Sequence, residues 1–153
     1  MQVATDAFSQ EPDLTVGGFS LWVLSREAPE AADFWEGVWL RVKALMVANG
    51  ARVEVEGPIV RGPELEGFAA GLRNMIRTLS GEARLDCLEP NLSLVLRLDS
   101  LGHVSGSVSI TPDELYQRHA FDWGGLDQTY LGPLLQSCEV ILERYPVTGS
   151  PDD

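Results

Sequence analysis

A chain of 153 residues, 44% apolar and 22% charged, has the size and composition of one ordinary globular domain, able to bury roughly 68–70% of its unfolded surface without metal or disulfide staples. Twenty-three acidic against eleven basic residues leave a formal charge of −12, a field that repels nucleic-acid phosphates and anionic headgroups and attracts basic partners. No run approaches the ~18 apolar residues of a membrane span and no signal-like segment opens the chain, so neither nucleic acid nor membrane is an expected partner and the expected location is cytoplasmic.

The acidity is uneven. Residues 1–37 hold seven acids and one Arg, 38–90 balance seven against seven, and 91–153 hold nine acids and three Arg. Composition predicts a flexible lead-in over 1–12, a single domain over 13–146 and a flexible tail over 147–153.

Residues 14–24 alternate and break at Gly17-Gly18, which predicts a short strand pair or one bulged strand. Residues 26–37 are acidic and interrupted by Pro29, and are expected to form a loop. The run VWLRVKALMVA-NG-ARVEVEG turns on Asn49-Gly50, a pair suited to a two-residue type I′ hairpin. That turn sets Ala48 opposite Ala51, Met46 opposite Val53 and Ala44 opposite Val55 on an apolar face. Lys43 then meets Glu56, and Val47 meets Arg52, on the other face. Trp22 is expected in the core, whereas Trp39 shares the outward face with Arg41 and Lys43.

Between Pro63 and Ser80 the period changes to helical, with Leu65, Phe68, Leu72, Met75, Ile76 and Leu79 on one stripe. Pro63 suits a first turn and Gly81 a stop. A meander follows: EARLDCLE, NLSLVLRLD and HVSGSVSI, the last two joined by Ser100-Leu101-Gly102 with glycine at the left-handed position. This register pairs Leu98 with Val104, Leu94 with Val108 and Leu92 with Ile110. Residues 117–124 predict a further strand, and a final helix ends near Tyr145. Asp127 or Thr129 can cap that helix, while Pro133 must lie in its first turn. No internal repeat is apparent. The predicted fold is α+β: an antiparallel sheet of about six to eight strands in meander hairpins, with two helices packed on one face.

Chemistry-bearing motifs are scarce. His103 falls opposite Asp99 as a loop-closing pair, and His119 and Asp122 fall on opposite faces of a strand. There is no HExxH, HxxxH or CxxC, no GxSxG elbow, no GxGxxG and no Walker pattern. Cys87 and Cys138 are expected to be free thiols. No catalytic residue, metal or cofactor is therefore assigned.

Acids, an aromatic and glycines meet only in Asp122-Trp123-Gly124-Gly125-Leu126-Asp127. This segment is either a glycine bend into the last helix, capped by Asp127, or a recognition surface. In the second case Asp122, Trp123 and Asp127 would meet an Arg-bearing partner. A carboxylate-dependent hydrolase or transferase using Asp122 and Asp127, and a homo-oligomeric adaptor domain, are the alternatives.

The stretches GEARLDCLEPNLSLVLRLDSLGHVSGSVSI and LDQTYLGPLLQSCEVILERYP resemble the WapI-like bacterial immunity proteins and their uncharacterised relatives. The shared order is helix, E-P-N turn, D-x-x-G-H hairpin, strand, and D-Q-T-Y-L before a last helix, over residues 38–145. The resemblance implies an antiparallel α+β domain that neutralises a sibling toxin inside the producing cell, and it supplies no active-site residues. Combined with the charge, it makes the expected partner a cognate protein toxin, basic and nuclease-like.

Overall fold

Alternation and turn chemistry resolve into eight strands and three helices in a computed structural model that describes residues 10–152. The strands are β1 (Leu14–Val16), β2 (Phe19–Arg26), β3 (Trp39–Ala48), β4 (Ala51–Arg61), β5 (Gly81–Asp86), β6 (Leu92–Leu98), β7 (His103–Ile110) and β8 (Ala120–Asp127). The helices are α1 (Phe34–Gly37), α2 (Gly62–Thr78) and α3 (Leu131–Arg144), the last preceded by a 3₁₀ turn over Gln128–Tyr130. The expected lead-in falls mostly in residues 1–9, outside the described residues.

The strands divide into two antiparallel sheets, ordered β1-β2-β3-β4 and β5-β6-β7-β8. The expected class and strand number hold, but the single sheet does not. The division falls at α2, whose 17 residues follow β4 directly and end the first meander. Each half therefore runs four strands and then a helix, an architectural repeat that the sequence does not announce.

Both hairpin registers form as the turns dictate. Ala48, Met46 and Ala44 face Ala51, Val53 and Val55, and Leu98, Leu94 and Leu92 face Val104, Val108 and Ile110. The first turn differs in type, however. Gly50 has φ +76° while Asn49 is not among the positive-φ residues, the sign pattern of a type II turn and not of the expected type I′. Its two-residue length still fixes the pairing. The segment 26–37 is also more ordered than a loop, since β2 runs to Arg26 and Phe34–Gly37 make one helical turn after Pro29.

One buried cluster joins the two sheets and both long helices. It takes Phe19, Leu21 and Val42 from the first sheet and Leu85, Leu94 and Leu96 from the second. The helices add Phe68, Leu72 and Met75 from α2 and Leu134, Cys138 and Ile141 from α3. The helices contact each other, α2 lies against β5, and α3 reaches β1. Trp22 is buried but lies outside this cluster. It pairs with Lys43 on the other face of β2–β3, where the ammonium sits 5.3 Å from the ring centroid and the Gln10 carbonyl accepts the indole N–H at 3.0 Å. Nearby charges close off that face. Lys43 bridges to Glu54 at 3.2 Å, diagonal to its register partner Glu56, which instead meets Arg41 at 3.4 Å. The Arg61 guanidinium covers Trp39, 5.6 Å from its ring centroid.

Candidate functional site

β8 is an edge strand whose inner side must reach the core and whose outer side carries acids. In an unbroken strand Asp122 and Asp127, five apart, would point to opposite faces. A bulge prevents this. The register pairs Trp123 with Gly106 and Leu126 with Val104, and slips between them at Gly124-Gly125, where Gly125 adopts φ +82°. Trp123 and Leu126 consequently both face inward. Asp122 and Asp127 both face outward, opposite Ser107 and His103. Those two β7 positions are four residues apart, roughly 13 Å at about 3.3 Å per residue, so the carboxyls share a face without forming a close pair.

The candidate trio therefore divides. Trp123 lies behind the strand, packed on the core cluster, with its indole wedged between Gly106 and Gly17 of the β1–β2 turn. A Cβ on Gly106 would fall 2.4 Å from the ring's Cζ2, and one on Gly17 2.6 Å from its Nε1. Its indole nitrogen is buried and has no hydrogen-bond partner among the described residues. Asp122 is exposed and accepts the Ser107 hydroxyl at 2.7 Å. Asp127 takes the capping role. It caps the 3₁₀ turn by accepting the Thr129 amide at 2.9 Å and the Thr129 hydroxyl, and it stays exposed on the outer face.

Beside Asp127 the sheet opens into a depression of about 910 Å³, walled by the β6–β7 loop, the end of β8, the 3₁₀ turn and Leu79. Asp99 and His103 line it with Asp127. Asp99 accepts the amides of Leu101 at 2.9 Å and His103 at 3.0 Å. Its other oxygen lies 3.6 Å from His103 Nδ1, so the loop-closing pair forms as the register requires. The His103 and Leu101 amides hold the Asp99 carboxyl below the ordinary aspartate range, and the Thr129 hydroxyl and amide do the same for Asp127. Carboxyls held low are poor proton donors near neutral pH. Burial raises both thiols, Cys138 to about 12 and Cys87 further, so neither is an activated nucleophile. Among the described residues no three His, Cys, Asp or Glu side chains converge as metal ligands, and no helix is long and apolar enough to cross a membrane.

Sequence patterning did not mark Leu79 and Leu101 as surface features. Leu79 occupies the last position of a helical apolar stripe, yet it is 54% exposed, and Leu101 at the loop tip is 78% exposed. Both line the same depression.

No curated protein sequence matches the chain. Among solved structures it is similar to WHY3 from Arabidopsis thaliana, at 15% identity, 86% coverage of this chain and 85% of that chain, with a TM-score of 0.42. The model of the WapI-like immunity protein family matches residues 13–146, which takes in both sheets, both long helices and every residue that shapes the depression. By that match the chain belongs to the WapI-like immunity protein family.

Proposed function

We propose that this protein binds a cognate bacterial toxin domain and plugs its basic cleft inside the cell that makes both. The observation carrying this reading is the family match over residues 13–146, the segment we assign as the functional domain, with 147–153 as a tail. The charge of −12 gives the reading a mechanism. A nuclease toxin must hold phosphates, so its cleft is basic, and an acidic surface of matching shape can fill it. Asp122 and Asp127 on the outer face of β8 face the partner, while Trp123 supports the strand from behind. Neutralisation is stoichiometric, because the carboxyls and thiols described above are not set for acid–base or nucleophilic work.

Electrostatic complementarity of this kind raises association from ~10⁵–10⁶ toward ~10⁸ M⁻¹s⁻¹ at low salt and is screened once the Debye length shrinks to about 3 Å near 1 M salt. Stopped-flow mixing with a cognate toxin domain should show association slowing at least about tenfold between dilute and molar salt. A salt-independent rate would contradict the steering mechanism.

A further inference from the structure

Leu79 is the only non-glycine residue with positive φ among the described residues, at φ 56° and ψ 38°. It ends α2, where left-handed backbone ordinarily selects glycine or asparagine. A leucine there carries backbone strain, and such strain normally persists where something else retains the residue. Core packing does not retain this one, because the side chain is 54% exposed. It stands on the wall of the depression with Leu101, which is 78% exposed, and with the outward carboxylates of Asp99 and Asp127. Among the described residues no lysine or arginine lines that depression. Two apolar side chains held out to solvent beside two acids, whose only basic neighbour in the lining is the His103 imidazole, suit one kind of surface: a cationic side chain flanked by apolar ones.

We infer that this depression is the toxin-gripping surface, with Leu79 and Leu101 as its apolar contacts and Asp99 and Asp127 receiving an arginine or lysine of the toxin. The inference rests on the immunity reading and adds to it a location and a partner chemistry. It also explains why a strained leucine occupies a glycine position: the side chain serves the interface at the expense of the helix end.

The test is titration calorimetry of the full chain against a cognate toxin domain, using Leu101→Ser, Leu79→Asn and, as an exposed control on α3, Val140→Ser. Leu101→Ser and Leu79→Asn should each weaken binding about fivefold or more, and Val140→Ser should leave it within about twofold. Leu79→Asn should melt at or above the parent's temperature, because asparagine accepts the left-handed backbone. Unchanged affinity in both leucine variants, with the parent binding tightly, overturns the surface and leaves the immunity reading intact. An equal loss in Val140→Ser also overturns the surface. A parent that does not bind the toxin overturns the immunity reading, and the surface falls with it. If light scattering shows Leu101→Ser splitting a dimer while toxin affinity is unchanged, the occupant is a second copy of this chain and the inference fails.

Discussion

Trp123 and Gly106 face each other across β7 and β8, and the indole occupies the space that a side chain on Gly106 would need. An added Cβ would meet Cζ2 at 2.4 Å and Cε2 at 2.6 Å, well inside van der Waals contact. Cζ2 belongs to the fused benzo ring of the indole and lies farther out than any atom of a phenylalanine ring. Gly106→Ala should therefore destabilise the fold by about 1–3 kcal/mol as an overpacking change. Adding Trp123→Phe should recover part of that loss, with a coupling of about 1 kcal/mol or more in a double-mutant cycle. Denaturant unfolding of the four proteins measures this. Effects that add within about 0.5 kcal/mol would contradict the wedge.

Glu64 joins three parts of the chain. One carboxylate oxygen accepts the Arg61 amide at 2.7 Å. The other accepts Arg61 Nε at 2.9 Å and the Leu88 amide at 2.8 Å, and lies 2.8 Å from Arg61 Nη2. Its side chain is only 6% exposed, so water cannot replace these partners. Glu64→Ala should cost about 3 kcal/mol, as expected when one member of a buried pair is lost. Glu64→Gln keeps an acceptor for the amides and should cost about half of that. Equal unfolding midpoints for Glu64→Ala and the parent would contradict this assignment.

Acid stability should depend on Asp99 and Asp127. Both carboxyls titrate below the ordinary aspartate value of 3.8 in the folded state, so folding favours their ionised forms. Their contribution is complete above the unfolded value and is lost as pH falls through the still lower folded values. Urea midpoints should therefore be insensitive to these two groups between neutrality and about pH 5, and fall below about pH 4. Asp99→Asn and Asp127→Asn, which retain an acceptor but cannot titrate, should each show a shallower acid decline. A decline as steep as the parent's in both variants would contradict the attribution.

Hairpin registers were legible because a short turn and a two-residue alternation determine each other. Leu94 had to meet Val108 once Ser100-Leu101-Gly102 was taken as the loop. Features that break the alternation were not legible. The bulge at Gly124-Gly125 moves Asp127 from the face of Trp123 to that of Asp122, so the acids and the aromatic of one segment separate. It also carries β8 three residues past the expected end at Gly124, to Asp127. The stop of α2 was misplaced for a related reason. Gly81 has φ +94° but belongs to β5, and the left-handed cap falls two residues earlier on Leu79, which pattern alone assigns to the helix stripe. Division into two sheets was invisible as well, because both halves present the same local alternation. That no strand pairs across α2 is decided by packing and not by any residue in a turn.

Titrating the activity of a cognate toxin domain against increasing amounts of the purified protein tests the central claim most directly. Neutralisation by occlusion predicts a linear fall in toxin activity that reaches zero at one equivalent, with the toxin recovered intact after the complex is dissociated. Full toxin activity in the presence of a large excess of this protein would contradict it, as would toxin cleaved or modified by less than one equivalent.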